Sequence, residues 1–579
     1  MFREVFRLLG KKNIKYLYLI LFMNLVGVFL EAIGIGSVLP LILTITEDNI
    51  YEKYTQFNFI FEVLNYPEKK ILIFYSIIFF ISIFFIKNIF LGIFTIINNK
   101  FVYGLNIELS NSLFQRYLNY SYEDFIKQNP GKLMRNILNE VNQFTMGVMM
   151  SLISIITELA LFIVVFWILV SYEPQGTLAI FITMSLVFLI IYMPLKKRLK
   201  IWGQIRQENE GLKVDILNQG IHGFKDIKIY NLENVFVQNF EKFNSKAVSL
   251  VRNQATYAML PKYLFEFFSI LSISFLLIYL VSKNSELSQI TAVLGLYAAS
   301  IFRLMPSFNR VLGSLQNLRF ANPVLINLYN IFNETEKSNN LAKEYKKNIN
   351  SNNFSFNNYI EFNKINFSYG EKRIFENLSI KIHKNDFIGI LGDSGSGKST
   401  FVDIFCSLLT PQSGEIIVDG KFDISKNINK KNWQKIISYV PQKVSIFTES
   451  IYQNITLNNK NKKNDKRFQE TIEKCNLKKL IDSLKNKENT VIGSGEIGLS
   501  GGQIQRIGLA RAIYKQPEIL ILDEATNALD ELNENMILEL INSLKEKMTI
   551  LIVTHKKSLL KNCNKVVAVK NNCIENENI

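Results

Sequence analysis

The sequence predicts an α-helical transmembrane domain of six spans over residues 1–320, followed by an α/β domain over 360–579 built around a phosphate-binding loop. Three observations carry this. Long apolar runs are confined to the first part of the chain. A glycine-rich loop between strand-like and helix-like segments marks the second. The 579 residues also exceed what one core ordinarily fills.

Six apolar runs set the spans: Tyr16–Leu43, Ile71–Ile97, Val148–Val170, Thr177–Tyr192, Tyr263–Val281 and Ile290–Met305. The last is shorter than the usual span of about 20 residues, and its helix extends into the amphipathic sequence beyond. Basic residues flank alternate ends. Arg3, Arg7, Lys11, Lys12 and Lys15 precede the first run; Lys100, Arg116, Lys127, Lys132 and Arg135 follow the second; Lys196, Lys197, Arg198 and Lys200 follow the fourth. The loop SYEPQG has no basic residue, and the loop after the first run opens with Glu47, Asp48 and Glu52. By the positive-inside rule both termini and the α/β domain are cytoplasmic. The same rule accounts for the net charge of +16 at a mean hydropathy of +0.13, so no nucleic-acid partner is required. The basic start runs into a stretch long enough to span, and no cleavable signal peptide is expected. Four cysteines (Cys406, Cys475, Cys563 and Cys573), all in the second half and without metal-type spacing, read as reduced thiols.

Two cytoplasmic excursions, about 98–147 and 193–262, are helix-compatible with glycine-marked breaks at Gly131 and at Gly220 and Gly223. Such breaks turn a long helix back and present a short transverse helix. His222 reads as a loop residue without chemistry. In the outer loop, Ile50, Tyr54, Phe57, Phe61 and Leu64 fall on one helical face. That stripe either packs on the neighbouring spans or lies against the outer leaflet. Residues 321–359 form an Asn- and Lys-rich linker.

The α/β domain carries the chemistry. FIGILGDSGSGKST is a short apolar strand running into Gly392, Asp393, Ser394, Gly395, Ser396, Gly397, Lys398, Ser399 and Thr400. Glycines let consecutive backbone N–H groups turn onto phosphate oxygens at a helix start. Lys398 then neutralises β- and γ-phosphates, and the Ser399 hydroxyl suits Mg²⁺. ILILDEAT puts Asp523 and Glu524 at a strand end, where one carboxylate holds a metal ion and the next polarises water. LSGGQ, with Ser500, Gly501, Gly502 and Gln503, opens a second helix and a second anion site. One ATP needs only one cradle.

The order GDSGSGKST, YVPQK, LSGGQ, ILILDE, NALD and VTH is similar to the nucleotide-binding domain of ABC transporters. The resemblance implies that Tyr369 stacks on adenine and that Gln442, with Ser399 and Asp523, serves the Mg²⁺ site. Ser500 and Gly502 close over a γ-phosphate held by another subunit's Lys398. Glu524 is the catalytic base, Asp530 communicates across the dimer, and His555 contacts the γ-phosphate. ATP and Mg²⁺ are the implied cofactors and a homodimer the implied working unit. Ser494 departs from the family's usual acidic residue before the signature, with Glu496 the nearest acid.

Six spans preceding one such domain resemble an exporter-type half-transporter. LEAIGIGSVLPLIL and SIFRLMPSFNR look like PglK-type flippases of lipid-linked oligosaccharides. The resemblance implies ATP-driven flipping of a polyprenyl-pyrophosphate oligosaccharide across a bacterial inner membrane, with export of a peptide, lipid or hydrophobic drug as the alternative. A third reading is a nucleotide-gated channel or regulatory subunit, against which the intact Glu524 and signature loop argue. Lys87 lies 17 residues into its run, about 25 Å along a helix, where a charge costs roughly 2.5–3.5 kcal/mol. Lys87, Lys262 and Arg303 are expected either to line a wet cavity that holds an anionic head group, or to be structural. In the structural case Lys87 pairs with Glu31 or Glu158, and the other two are positive-inside flanks.

Overall fold

A computed structural model describes residues 1–46, 51, 59, 62, 64–172, 174–283, 287–333, 354–425, 427–457, 465–493, 498–525, 531–570 and 572–576. The chain forms two compact units, Met1–Tyr120 with Asp124–Asn339, and Ser121–Glu123 with Asn340–Ile579.

The first unit is helical, and each of the six apolar runs lies within helix. Helices α1 (Phe2–Gly36) and α2 (Val38–Thr46) contain the first. Gly10, at φ +69°, kinks α1 between its basic start and its apolar body. The second run is in α3 (Lys69–Leu118), whose 50 residues extend about 75 Å, well beyond a hydrocarbon core of about 30 Å. The excess has a different surface. Asn98, Val102, Leu105, Leu109, Leu113 and Tyr117 are buried at three- and four-residue steps, whereas Phe74, Phe79, Phe85 and Ile86 are exposed, as lipid-facing residues are. Gly27 admits α3 closely, since a Cβ there would lie 3.3 Å from Leu91 Cδ2.

After α3 come α4 (Tyr122–Ile126), α5 (Pro130–Arg135) and π-type turns over Asn136–Glu140 and Gln143–Met149. The remaining runs lie in α6 (Met150–Tyr172), α7 (Pro174–His222), α10 (Pro261–Ser282) and α11 (Leu287–Phe320). Between the last two pairs stand α8 (Phe224–Ile229) and α9 (Glu233–Met259). Among the described residues four helical stretches are long and apolar enough to cross a membrane: Phe2–Thr46, Lys69–Leu118, Gln143–Ser171 and Glu233–Ser282.

Short helices follow both long excursion helices, with a difference in the first. The chain breaks twice there, at Asn119–Ser121 ahead of α4 and at Lys127–Asn129, where the break expected near Gly131 falls and Asn129 caps α5. Gly131 lies inside α5 and serves close packing, since a Cβ there would meet Asp215 Oδ1 at 1.9 Å. In the second excursion Gly223 caps α8, as the break there predicts. Residues 322–333, placed in the linker by composition, are helical and bury Val324, Leu325 and Leu328 with Leu105, Leu109 and Phe144. Their i, i+1, i+4 spacing is a helical stripe. The stripe residues Ile50, Tyr54, Phe57 and Phe61, the acids Glu47, Asp48 and Glu52, most of the linker, and Ser494, Glu496 and Asp530 lie outside the described residues.

The second unit has two main sheets. Strands β1 (Tyr359–Tyr369), β2 (Lys372–His383), β4 (Ser413–Val418) and β5 (Phe422–Asp423) form an antiparallel sheet in the order β2-β1-β4-β5. The other contains β3 (Phe387–Leu391), β6 (Ile437–Val440), β9 (Ile519–Asp523), β10 (Thr549–Val553), β11 (Lys565–Lys570) and β12 (Cys573–Asn576). Its order is β12-β11-β3-β10-β9-β6, parallel except at β12. A two-stranded ribbon pairs β7 (Glu449–Ser450) with β8 (Val491–Ile492). Strands β9 and β10 are buried along their whole length, as parallel strands covered on both faces must be. Phe362, Phe401, Phe405 and Trp433 pack between the sheets, with the Trp433 indole N–H donated to the Phe405 carbonyl at 2.6 Å. The parallel order brings the carboxyl ends of β3, β10, β9 and β6 side by side, where open α/β sheets bind ligands.

Candidate nucleotide site and membrane-domain cation cluster

The loop after β3 is a backbone cradle. Gly392, Gly395 and Gly397 have φ of +150°, +82° and +110°. A Cβ on Gly392 would lie 2.6 Å from Ser396 Oγ and 2.8 Å from the Val569 carbonyl; one on Gly397 would lie 2.8 Å from Ile374. Only glycine fits at both positions. Gly397 caps the helix α12 (Lys398–Phe405) without any side-chain hydrogen bond to its first N–H groups. Lys398 folds over the loop and donates to the carbonyls of Gly392 and Asp393 at 2.7 and 2.9 Å. Ser396 Oγ is buried without a partner among the described residues. Free helix N–H groups, an unpartnered hydroxyl and a movable ammonium are the donor set a polyphosphate requires. Asp393, Ser394, Gly395 and Ser399 are exposed, and Thr400 is buried.

Asp523 closes β9 and Glu524 follows at φ +49°, an uncommon conformation for a side chain of its size. Its N–H is donated to the Val553 carbonyl at 2.9 Å, which fixes the turn to β10. Gln442 Nε2 donates to Glu524 Oε2 at 2.6 Å, and His555 Nε2 lies 3.5 Å from Glu524 Oε1. The structure therefore brings Gln442, Glu524 and His555 together. Gln505 Nε2 donates to the Gln442 carbonyl at 2.9 Å and holds that loop from beneath. Tyr439 gives its hydroxyl to Asp523 Oδ2 at 2.9 Å. Neither Tyr439 nor Gln505 is evident from spacing alone. Tyr439 sits in the YVPQK motif, and its pairing with Ile521 sets it two residues from Asp523.

Burial raises the Asp523 carboxyl above its usual range, against the pull of Tyr439 and Lys398. Burial, reinforced by Asp523, raises the Tyr439 hydroxyl as well. Asp403, on α12, is pushed to about 6 by burial and then by the charge of Asp523. This end of the sheet thus gathers two carboxylates, Asp523 and Asp403, whose charge burial disfavours.

Tyr369 ends β1 and is exposed, with Phe367 edge-on to it at 5.0 Å. Ser500 caps the helix α13 (Gly501–Tyr514): its hydroxyl accepts the Gln503 N–H at 3.2 Å, and the Gln503 side chain accepts the Ser500 N–H at 2.8 Å. This reciprocal cap leaves Ser500 and Gly501 exposed at the helix start.

The membrane domain holds a separate cluster. Arg303 on α11 donates from Nε and Nη2 to the two carboxylate oxygens of Glu31 on α1, at 2.9 and 2.8 Å, and from Nη1 to Ser307 at 3.0 Å. Glu158 on α6 accepts from Arg310 Nε and stands 4.0 Å from Arg303 Nη1. Lys87 takes neither carboxylate within ion-pair distance. Its Nζ lies 4.2 Å over the Phe84 ring, and its stem rests against Gly34 of α1. So the expected Lys87–Glu31 pair is replaced by Arg303–Glu31, because the guanidinium fork matches a carboxylate bidentately and an ammonium does not. Lys262 is exposed at the start of α10.

Sequence comparison agrees with the fold. Residues 17–305 match the profile of the ABC transporter transmembrane region, and residues 375–527 that of the ABC transporter domain. The chain is 40% identical over 197 residues to ABC transporter B family member 14 of Arabidopsis thaliana, spanning 34% of this chain and 16% of that protein. It is 23% identical over 469 residues to an ATP-dependent lipid A-core flippase of Francisella tularensis subsp. holarctica, covering 79% of this chain and 74% of the relative. The structure of a bacterial Atm1-family ABC exporter with ATP bound superposes with a TM-score of 0.74 at 17% identity, over 97% of this chain and 94% of that one. A glycine cradle, a strand-end carboxylate pair and a helical membrane domain, in that fold, place the chain in the ABC transporter family as an exporter-type half-transporter whose α/β domain binds and hydrolyses ATP.

Proposed function

We propose that the chain works as a homodimer in a bacterial inner membrane, with six spans per protomer and cytoplasmic termini. In this reading it flips a polyprenyl-pyrophosphate oligosaccharide from the cytoplasmic to the outer leaflet. Glu524 acts as the base toward water, oriented by Gln442 and His555. Ser399, Gln442 and Asp523 would hold Mg²⁺, which supplies charge neutralisation at the phosphates. Tyr369 would stack on adenine, while Ser500, Gly501, Gly502, Gln503 and Asp530 would serve the nucleotide across the dimer.

The observation that carries the substrate reading is the charge of the membrane cluster. In that cluster Arg303 and Arg310 each hold a carboxylate, Glu31 and Glu158, whereas Lys87 has neither within ion-pair distance and rests on the Phe84 ring. A cation at membrane depth without a carboxylate partner is costly unless an anion uses it. The similarity to a lipid A-core flippase supports a lipid cargo generally. Export of a peptide or hydrophobic drug is favoured by one observation: Glu31 already neutralises Arg303.

The test is reconstitution with a panel of lipid-linked sugars, peptides and dyes. ATP-dependent loss of the lipid-linked sugar from the inner-facing pool is expected, and movement of peptides or dyes alone overturns the reading. Lys87→Ala should cut flipping while expression and fold persist; equal loss of both would make Lys87 structural.

A further inference from the structure

We infer that Glu31 is a specificity-determining residue: an internal carboxylate that occupies the Arg303 fork and must be displaced by the phosphate of an incoming lipid. The inference rests on the lipid-pyrophosphate reading above and names a device within it.

All three nitrogens of Arg303 are engaged, Nε and Nη2 by Glu31 and Nη1 by Ser307. A phosphate can take the bidentate face of the guanidinium only where Glu31 now sits, since carboxylate and phosphate compete for the same pair of donors. The contact is also accessible. Arg303 retains 25% of its side-chain exposure and Glu31 11%, so one side of the pair is open.

A displaced carboxylate needs a second cation nearby, and the structure holds one. Gly34 is three residues past Glu31, one turn along the same face of α1. A Cβ at Gly34 would touch Lys87 Cδ at 3.7 Å, which puts the lysine stem against that face. Lys87 has no carboxylate of its own within ion-pair distance, and its ammonium rests on the Phe84 ring. Glu158 is held by Arg310 through Oε1 and stands 4.0 Å from Arg303 Nη1, away from the Nε and Nη2 pair that Glu31 occupies. Glu31 therefore passes from Arg303 to Lys87 as the phosphate arrives at Arg303, so that Arg303 keeps an anion and Lys87 gains one. Neutral lipids cannot drive this exchange. Monophosphates drive it weakly and diphosphates strongly, so the exchange sorts cargo by head-group charge.

The experiment uses the full chain in liposomes and reads stimulation of ATPase activity, each variant relative to its own basal rate, by farnesyl diphosphate, farnesyl phosphate and farnesol. For the wild type the order diphosphate, monophosphate, alcohol is expected. Glu31→Gln removes the competitor, so the half-maximal diphosphate concentration should fall at least about threefold and the preference over monophosphate should narrow. Should Glu31→Gln fail to fold with Arg303 buried and unpaired, Glu31→Asp decides the matter. Its shorter carboxylate holds the fork less well, and a smaller fall is expected. A wild type that responds to diphosphate, with the same half-maximal concentration in the folded variants, overturns the exchange and leaves the substrate reading standing. A wild type that ignores all three prenyl compounds while moving peptide or dye overturns both.

Discussion

Replacing Glu140 tests whether the buried polar cluster between the first unit's helices is a structural lock. The Glu140 side chain is fully buried. It accepts from Gln207 Nε2 at 2.7 Å and Arg206 Nη2 at 3.4 Å, with Arg135 Nε at 3.8 Å. Arg135 reaches the Gln207 carbonyl at 2.8 Å and Asn136 at 2.9 Å; Asn136 in turn bonds Tyr117 and Asn327. The cluster thus ties the π-type turns to α7 through Glu140, and to α3 and the helix at 322–333 through Asn136. Burial raises its proton affinity, opposed by Arg206 and then Arg135, and burial lowers the affinity of Arg135. Among the described residues Arg135 Nε and Arg206 Nε have no hydrogen-bond partner of their own, so they rest on the charge of Glu140. Glu140→Ala leaves two buried guanidiniums uncompensated, a loss of about 3–5 kcal/mol. Glu140→Gln keeps the shape and loses the charge, at a cost of about 1–3 kcal/mol. Hydrogen exchange of residues 130–149 is the assay, because all four cysteines lie in the other unit and thiol labelling would report the wrong one. Protection should drop by roughly a hundredfold or more for Ala and clearly less for Gln. Arg206→Met added to Glu140→Gln should recover part of the loss. A change under about threefold for Glu140→Ala would show the cluster carries no net stabilisation, and the reasoning would fail.

Two further outcomes concern the nucleotide domain. Glu524→Gln preserves the Gln442 contact and removes the base, so ATP turnover should fall about 10²–10⁴-fold while nucleotide stays bound; normal turnover would reassign the base. Asp403, at about 6 in the fold against about 3.9 unfolded, binds its proton more tightly when folded. Its contribution is full below about pH 4 and lost as pH rises through about 6. In EDTA, Asp403→Asn should therefore stabilise the chain at pH 7.5 by roughly 1–2 kcal/mol, discounted for partial exposure. It should also flatten the pH dependence of maleimide labelling at buried Cys406. An unchanged pH slope would remove Asp403 as its source.

Much of the nucleotide site is legible because its chemistry is local. Gly392 through Thr400 are contiguous, and the φ of +110° at Gly397 needs glycine whatever surrounds it. The carboxylate pair follows its strand directly. Tyr439 and Gln505 needed the sheet order and the packing of α13, since Tyr439 is far along the chain from Asp523 and Gln505 from Gln442. The break near Gly131 is legible too, at Lys127–Asn129, but only the approach of Asp215 shows that the glycine itself is a packing position.

By itself the sequence determined where apolar runs give way to a soluble domain, and which loop cradles phosphate, because hydropathy and glycine-dependent backbone geometry are properties of short segments. Which cation Glu31 holds was decided by tertiary structure alone. Arg303 lies 272 residues away from it, and Lys87 had equal standing by charge. Helix packing brought the guanidinium fork to the carboxylate and laid the lysine along Gly34, a choice between distances that no local pattern records.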